Sequence, residues 1–92
     1  QIIGGLVLIT QQTHVKLANI AVDPKYRGKG AGRRLLDLAD QQATQQGHHI
    51  LRLNTHKDML ANLAMYRHLG WIETARSGVS VSMEKHIKVD AP

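Results

Sequence analysis

The hydrophobic pattern of the chain changes period several times, and each change marks an element. Ile2-Ile3-Gly4-Gly5-Leu6-Val7-Leu8-Ile9 is an apolar, β-branched run that reads as a strand. Polar Thr10 to Thr13 interrupts it, and a second apolar strand follows from His14 to Val22. A connection this short joins an antiparallel pair. From about Gly32 to Gln46 the period becomes helical: Leu35, Leu36, Ala39 and Ala43 form one stripe, and Gln41, Gln42, Gln45 and Gln46 the solvated side. Gly47 stands where such a helix stops. His48 to Thr55 alternates again, with Ile50, Leu51 and Leu53 giving a strand. Strand, helix, strand is a βαβ crossover, so its two strands are expected to be parallel and the connection right-handed. A second helix is expected over about Lys57 to Leu69. Trp71 to Ala75 and Val79 to Lys85 then read as strands around a hairpin-like turn, Arg76-Ser77-Gly78. Asp90 to Pro92 is expected to fray. The pattern predicts an α/β (α+β) fold, a mixed sheet with a central strand-helix-strand crossover, in a single domain over residues 1–92.

Composition narrows this without changing it. At 92 residues and 42% apolar the chain supports one small core; only Tyr26, Tyr66 and Trp71 are aromatic and Phe is absent, so that core must be Leu, Ile, Val, Ala and Met. The absence of Cys excludes disulfides, thiolate metal sites and a Cys nucleophile, and fits a cytoplasmic protein. No apolar run is long enough to span a bilayer, so no membrane partner is expected. A net charge of +5 admits a basic nucleic-acid-binding domain as an alternative. Against it, the cations outside one cluster are scattered and the aromatics too few for base stacking, so no nucleic acid is expected. The six histidines show no ligand spacing; His48 and His49, adjacent in a predicted strand, point to opposite faces, and no metal is expected.

The one cationic cluster lies where the second strand gives way to the first helix: Pro24-Lys25-Tyr26-Arg27-Gly28-Lys29-Gly30-Ala31-Gly32, followed by Arg33-Arg34. Glycines at alternate positions let a ligand approach the main chain. The unpaired N–H groups of a helix's first turn attract an anion, and Arg27, Lys29, Arg33 and Arg34 reinforce them. The spacing does not fit a triphosphate P-loop, because Lys29 is followed by Gly30. Nor does it fit a dinucleotide fingerprint, because the third glycine position is Arg33. On the second helix Met59, Asn62 and Tyr66 fall at i, i+3 and i+7 and are expected on one face, with Leu60 and Leu63 beside them. A Tyr there is by itself a core residue whose hydroxyl finds a partner, whereas a buried Asn needs several partners.

Val22-Asp23-Pro24-Lys25-Tyr26-Arg27-Gly28-Lys29-Gly30-Ala31-Gly32 resembles the acetyl-CoA pyrophosphate loop of the GNAT superfamily of N-acetyltransferases, with its Arg-x-x-Gly-x-Gly signature at Arg27, Gly30 and Gly32. Met59 to Trp71 resembles that family's second motif, a helix carrying Asn and Tyr that ends at Gly and an aromatic. The resemblance implies an enzyme that transfers an acetyl group from acetyl-CoA, its cosubstrate, to a primary amine of a small molecule or peptide by direct attack in a ternary complex. A catalytically silent acyl-CoA-binding module is the nearer alternative. It implies cofactor contacts from Ile20, Ala21, Val22, Arg27, Gly28, Lys29, Gly30, Ala31, Gly32, Arg33, Asn62 and Tyr66. Ile20 to Val22 would offer main-chain groups to the pantetheine arm where two parallel strands splay, although the same residues also suit a paired core strand. Tyr66 would be catalytic, as proton donor to the leaving thiolate or as hydrogen-bond donor to sulfur. The base stays open among Glu73, His14, His56, a water chain and a group outside this sequence. The family's N-terminal strand-helix-helix-strand would precede Gln1, so the chain is expected to be N-terminally incomplete. Its uncovered sheet edge would then offer pairing to a second copy, a homodimer.

Overall fold

The computed structural model describes residues 4–22 and 30–88. The described residues form five strands and two helices, in the order β1 (Gly4–Thr10), β2 (Val15–Val22), α1 (Ala31–Gln45), β3 (Ile50–His56), α2 (Leu60–His68), β4 (Ile72–Ser77) and β5 (Ser80–His86). They form one mixed sheet in the order β1-β2-β3-β5-β4. β1 and β2 are antiparallel, β2 and β3 are parallel across the α1 crossover, and β4 and β5 form the closing hairpin. The mixed α/β fold predicted from the pattern is the fold observed.

Both helices cover the same face of the sheet. One core cluster contains Leu36, Ala39 and Ala43 of α1, Leu63 and Tyr66 of α2, and Val15, Leu17, Leu51, Leu53, Val81 and Met83 of the strands. The predicted stripe of α1 is therefore the buried one, joined by Ala31. The opposite face carries the alternate residues Lys16, Arg52, Asn54, Ser82 and Glu84, and is polar except near the sheet's edges, where Val7, Ile9 and Ile72 are exposed. One part-buried ion pair, Lys85 Nζ to Asp40 Oδ2 at 2.7 Å, ties α1 to β5.

Both helices end in the same way. After α1, the N–H of His48 donates to the carbonyl of Ala43 and that of Gly47 to Thr44; after α2, Trp71 donates to Tyr66 and Gly70 to Arg67. These paired bonds are the Schellman arrangement, and they satisfy carbonyls that a helix end leaves open. At Gly70 φ is +98°, a left-handed value that a side chain resists. The consequence is positional: Trp71 turns back into the core, 2% exposed, its ring 5.8 Å from that of Tyr66.

Five local expectations are corrected. His48 and His49 precede β3 and belong to the α1 termination, because the N–H of His48 is bonded to Ala43. α2 begins at Leu60 rather than near Lys57, because the N–H of Asp58 is taken by His56 Nδ1 at 3.1 Å and Met59 has non-helical angles. Met59 and Leu60 are accordingly exposed, and do not share the buried face of Tyr66. The last hairpin turns at Gly78-Val79, since Ser77 already pairs with Ser80, and Trp71 lies before β4.

Leu36 is 1% exposed at the centre of the core and Leu60 is 72% exposed. Leu36→Ala is expected to cost about 3 kcal/mol of stability through the cavity it leaves. Leu60→Ala is expected to change stability by less than about 0.5 kcal/mol. Urea unfolding of the two variants checks the difference.

Candidate functional site

The site is a gap in the sheet, and its origin is a register that stops early. β2 and β3 are in register only at Val15↔Leu51 and Lys16↔Arg52. β2 continues to Val22 and β3 to His56, each held on its outer side, by β1 and β5 respectively. Beyond Lys16 and Arg52 the facing edges part, and a cavity of about 160 Å³ opens between them. Leu17, Ala18, Asn19 and Ile20 wall it on one side and Leu53, Asn54 and Thr55 on the other, with Asn62 and Tyr66 of α2 beside it. Strand edges without a neighbour present N–H and C=O groups that seek partners.

A bulge helps to part the strands. Against β1, Val7 pairs with Asn19 and Leu8 with Leu17, so Ala18 is the extra residue of β2. Such an insertion bends the bulged strand and increases its local twist. Its sequence trace is the loss of alternation: Val15 and Leu17 face the core two residues apart, and the next inward residue, Ile20, comes three later.

Asn62 and Tyr66 are four residues apart on one face of α2, which brings both to the cavity. Tyr66 is 3% exposed, and burial pushes its phenol above the ordinary value of 10.0. At neutral pH it is a protonated donor, its ring packed beside that of Trp71.

At the same end of the sheet α1 begins at Gly30, whose φ of +77° sets the left-handed entry to the helix. The first helical bond runs from Arg34 N–H to the Gly30 carbonyl at 3.0 Å, so the N–H groups of Ala31, Gly32 and Arg33 have no intrahelical acceptor. The first turn carries no acidic residue, and Arg33 and Arg34 are exposed on it. Ala31 is buried.

Of the residues expected at the site, Ile20, Asn62 and Tyr66 therefore meet at the cavity. Gly30, Ala31, Gly32 and Arg33 form the start of α1. Ala21 and Val22 continue the same strand in register with Gly5 and Gly4 of β1. Arg27, Gly28 and Lys29 lie outside the described residues. The pattern missed Ala18, Asn19, Asn54 and Thr55, which contribute through a strand edge; only the broken alternation at Ala18 could have announced it.

Among the candidate bases, Glu73 is tied to Arg76 at 2.8 Å and Arg67 at 3.3 Å, and the hydrogen bond from Arg76 holds its carboxyl below the usual range. His56 Nδ1 accepts the Asp58 N–H. His14 lines a second, larger cavity on the helix-free face. Among the described residues no group of three His, Cys, Asp or Glu is placed to hold a metal ion, and no helix is long and apolar enough to cross a membrane.

The sequence pattern of the acetyltransferase (GNAT) family matches residues 1–71, and the chain belongs to that family. No curated protein matches the sequence. Among solved structures, PaiA N-acetyltransferase from Thermoplasma acidophilum, in complex with coenzyme A, is 25% identical with a TM-score of 0.85, over 91% of this chain and 53% of that one. The ribosomal-protein-S18-alanine N-acetyltransferase of Escherichia coli is 26% identical with a TM-score of 0.79, over 94% and 62%. A GNAT family acetyltransferase from Elizabethkingia anophelis with acetyl-CoA bound has the same fold, at 20% identity and a TM-score of 0.85 over 95% and 70%. The chain thus spans less than two thirds of the first two of these proteins.

The raised phenol gives a pH prediction. Because the folded pKa of Tyr66 lies above 10.0, its contribution to stability is whole below pH 10 and is lost as pH rises through the folded value. Ring-resolved NMR is expected to show Tyr66 still protonated at pH 10, and Tyr66→Phe to remove its share of the alkaline loss of stability.

Proposed function

We propose that the protein is an N-acetyltransferase that takes its acetyl group from acetyl-CoA and gives it to a primary amine by direct attack in a ternary complex. The observation that carries this reading is the unpaired edge between β2 and β3. An extended, amide-bearing chain such as the pantetheine arm matches a strand edge in the way an added strand does. Main chain of Asn19 to Val22 binds the arm in this reading. Ala31, Gly32 and Arg33, with Arg27, Gly28 and Lys29 of the preceding loop, meet the diphosphate.

Acetyl-CoA supplies an activated thioester; the remaining work falls to the chain. Main-chain N–H groups of β2 stabilise the charge that develops on the carbonyl oxygen. Asn62 orients the arm from α2. Tyr66, protonated and buried, donates toward the departing sulfur, whose free thiol has a pKa near 8.5. A phenol whose pKa is raised above 10.0 holds its proton firmly, so hydrogen bonding to sulfur accounts for its role as well as full transfer does.

Two measurements on the intact protein separate this reading from its alternatives. Coenzyme A binding by calorimetry is expected to fall at least tenfold in Arg27→Glu/Lys29→Glu with folding intact, because two phosphate-directed charges are reversed. Tyr66→Phe is expected to lower kcat by about tenfold to a hundredfold while coenzyme A affinity changes little. Binding without acetylation of any amine would mark a silent acyl-CoA-binding module. No binding would remove the reading altogether.

A further inference from the structure

The larger cavity, about 510 Å³, lies on the sheet face that the helices leave bare and is not used by the cofactor reading. Its size is that of a small-molecule site. Its walls include His14, Lys16, Arg52, Asn54, Ser82 and Glu84. Leu53 and Asn54 also wall the slot between β2 and β3, so the two cavities adjoin through the same stretch of β3.

The charges in this cavity do not balance. Lys16 and Arg52 are register partners on neighbouring strands, two cations side by side on one face. Like charges so placed repel unless an anion joins them. Arg52 has one: its Nε donates to Glu84 Oε2 at 2.8 Å. Glu84 is further engaged by His86 Nε2, and the hydrogen bonds from His86 and Arg52 hold its carboxyl below the usual range. Lys16 has no ion pair among the described residues. Desolvation first, then the nearby Arg52, lowers the pKa of His14 below the ordinary 6.5, with a smaller push from Lys16 and against the opposing effect of Glu84. His14 therefore adds little positive charge at neutral pH, and Lys16 is the cation of this cavity without an ion-pair partner among the described residues.

Position then fixes the rest. Lys16 and Arg52 stand where the strands are still paired, and Asn54 stands two residues further along β3, about 7 Å away, where they have parted. The amide of Asn54 is held by Ser82 Oγ, which donates to its Oδ1 at 2.7 Å. We infer that this cavity is the acceptor site, and that the acceptor is a small primary amine carrying an anionic group. The anion is seated at Lys16 and Arg52, and the amine is presented past Asn54 to the slot. The inference rests on the acetyltransferase reading, since it names the substrate class of that same site.

The test uses three amines of matched length in the intact protein: 5-aminopentanoate, pentylamine and cadaverine. Wild type is expected to favour 5-aminopentanoate by about tenfold or more in kcat/KM, mostly through KM. Lys16→Met removes that preference and Lys16→Glu turns it toward cadaverine, with coenzyme A affinity unchanged in both. O-phosphoethanolamine, run beside 4-aminobutyrate, tells whether phosphate or carboxylate is the preferred anion. Binding is read without turnover from the amide shifts of Lys16 and Arg52 on adding 5-aminopentanoate, shifts that Lys16→Glu abolishes. The inference is overturned if wild type prefers pentylamine or cadaverine, if the Lys16 variants leave the ratios unchanged, if only peptide amines are acetylated, or if those amide shifts are absent. Each of these results can occur with coenzyme A bound normally, whereas failure to bind coenzyme A removes the underlying reading first.

Discussion

Two parallel strands that pair at one end and part at the other govern the rest of this molecule. A sheet ordinarily satisfies its main-chain groups through its ladders, and a strand that leaves its neighbour exposes donors and acceptors that must be met some other way. Here β1 and β5 hold the outer sides of β2 and β3, so the opening between them has firm walls. The bulge at Ala18 bends β2 at the point where the pairing stops. The candidate site is therefore an interruption in regular structure, built in where the chain can hold it open.

The surrounding packing keeps that interruption in place. Leu51 and Leu53 anchor β3 to the core under both helices, and Val15 and Leu17 do the same for β2. The left-handed turn at Gly70 returns Trp71 to the core against Tyr66, which sets the phenol at the edge of the slot with little freedom. A phenol whose pKa burial raises further above 10.0 and a row of main-chain amides are donors placed by the fold itself; preorganised donors of this kind are effective toward developing charge. The sheet's two faces divide the labour: the helix-covered face supplies rigidity, and the bare face carries polar and charged side chains around a cavity that adjoins the same slot.

Much of this was legible in the residues. The stripe of Leu35, Leu36, Ala39 and Ala43, the crossover, and the family resemblance of the glycine loop and the Asn62–Tyr66 helix all follow from period and motif. What escaped was decided by local hydrogen bonds that period does not encode. His56 captures the Asp58 N–H and delays α2, and the α1 termination draws His48 out of the strand. Ala18, Asn19, Asn54 and Thr55 were missed for a different reason. They line the slot as stretches of strand edge, and whether an edge is paired depends on a neighbour far along the chain. The charge imbalance at Lys16 is likewise a product of register, visible only once Arg52 stands beside it and Glu84 is committed to Arg52 and His86.

Residue-resolved amide hydrogen exchange, with and without coenzyme A, tests the central claim most directly. With the ligand at a hundred times its Kd, slot-facing amides between Ala18 and Val22 and between Leu53 and Thr55 are expected to slow by about a hundredfold, because local opening must first release the ligand. The amides of β4, remote from the slot, are expected to change far less. Strong binding that leaves the β2 and β3 amides exchanging as before would contradict the account, since the coenzyme would then be held somewhere other than the parted strands.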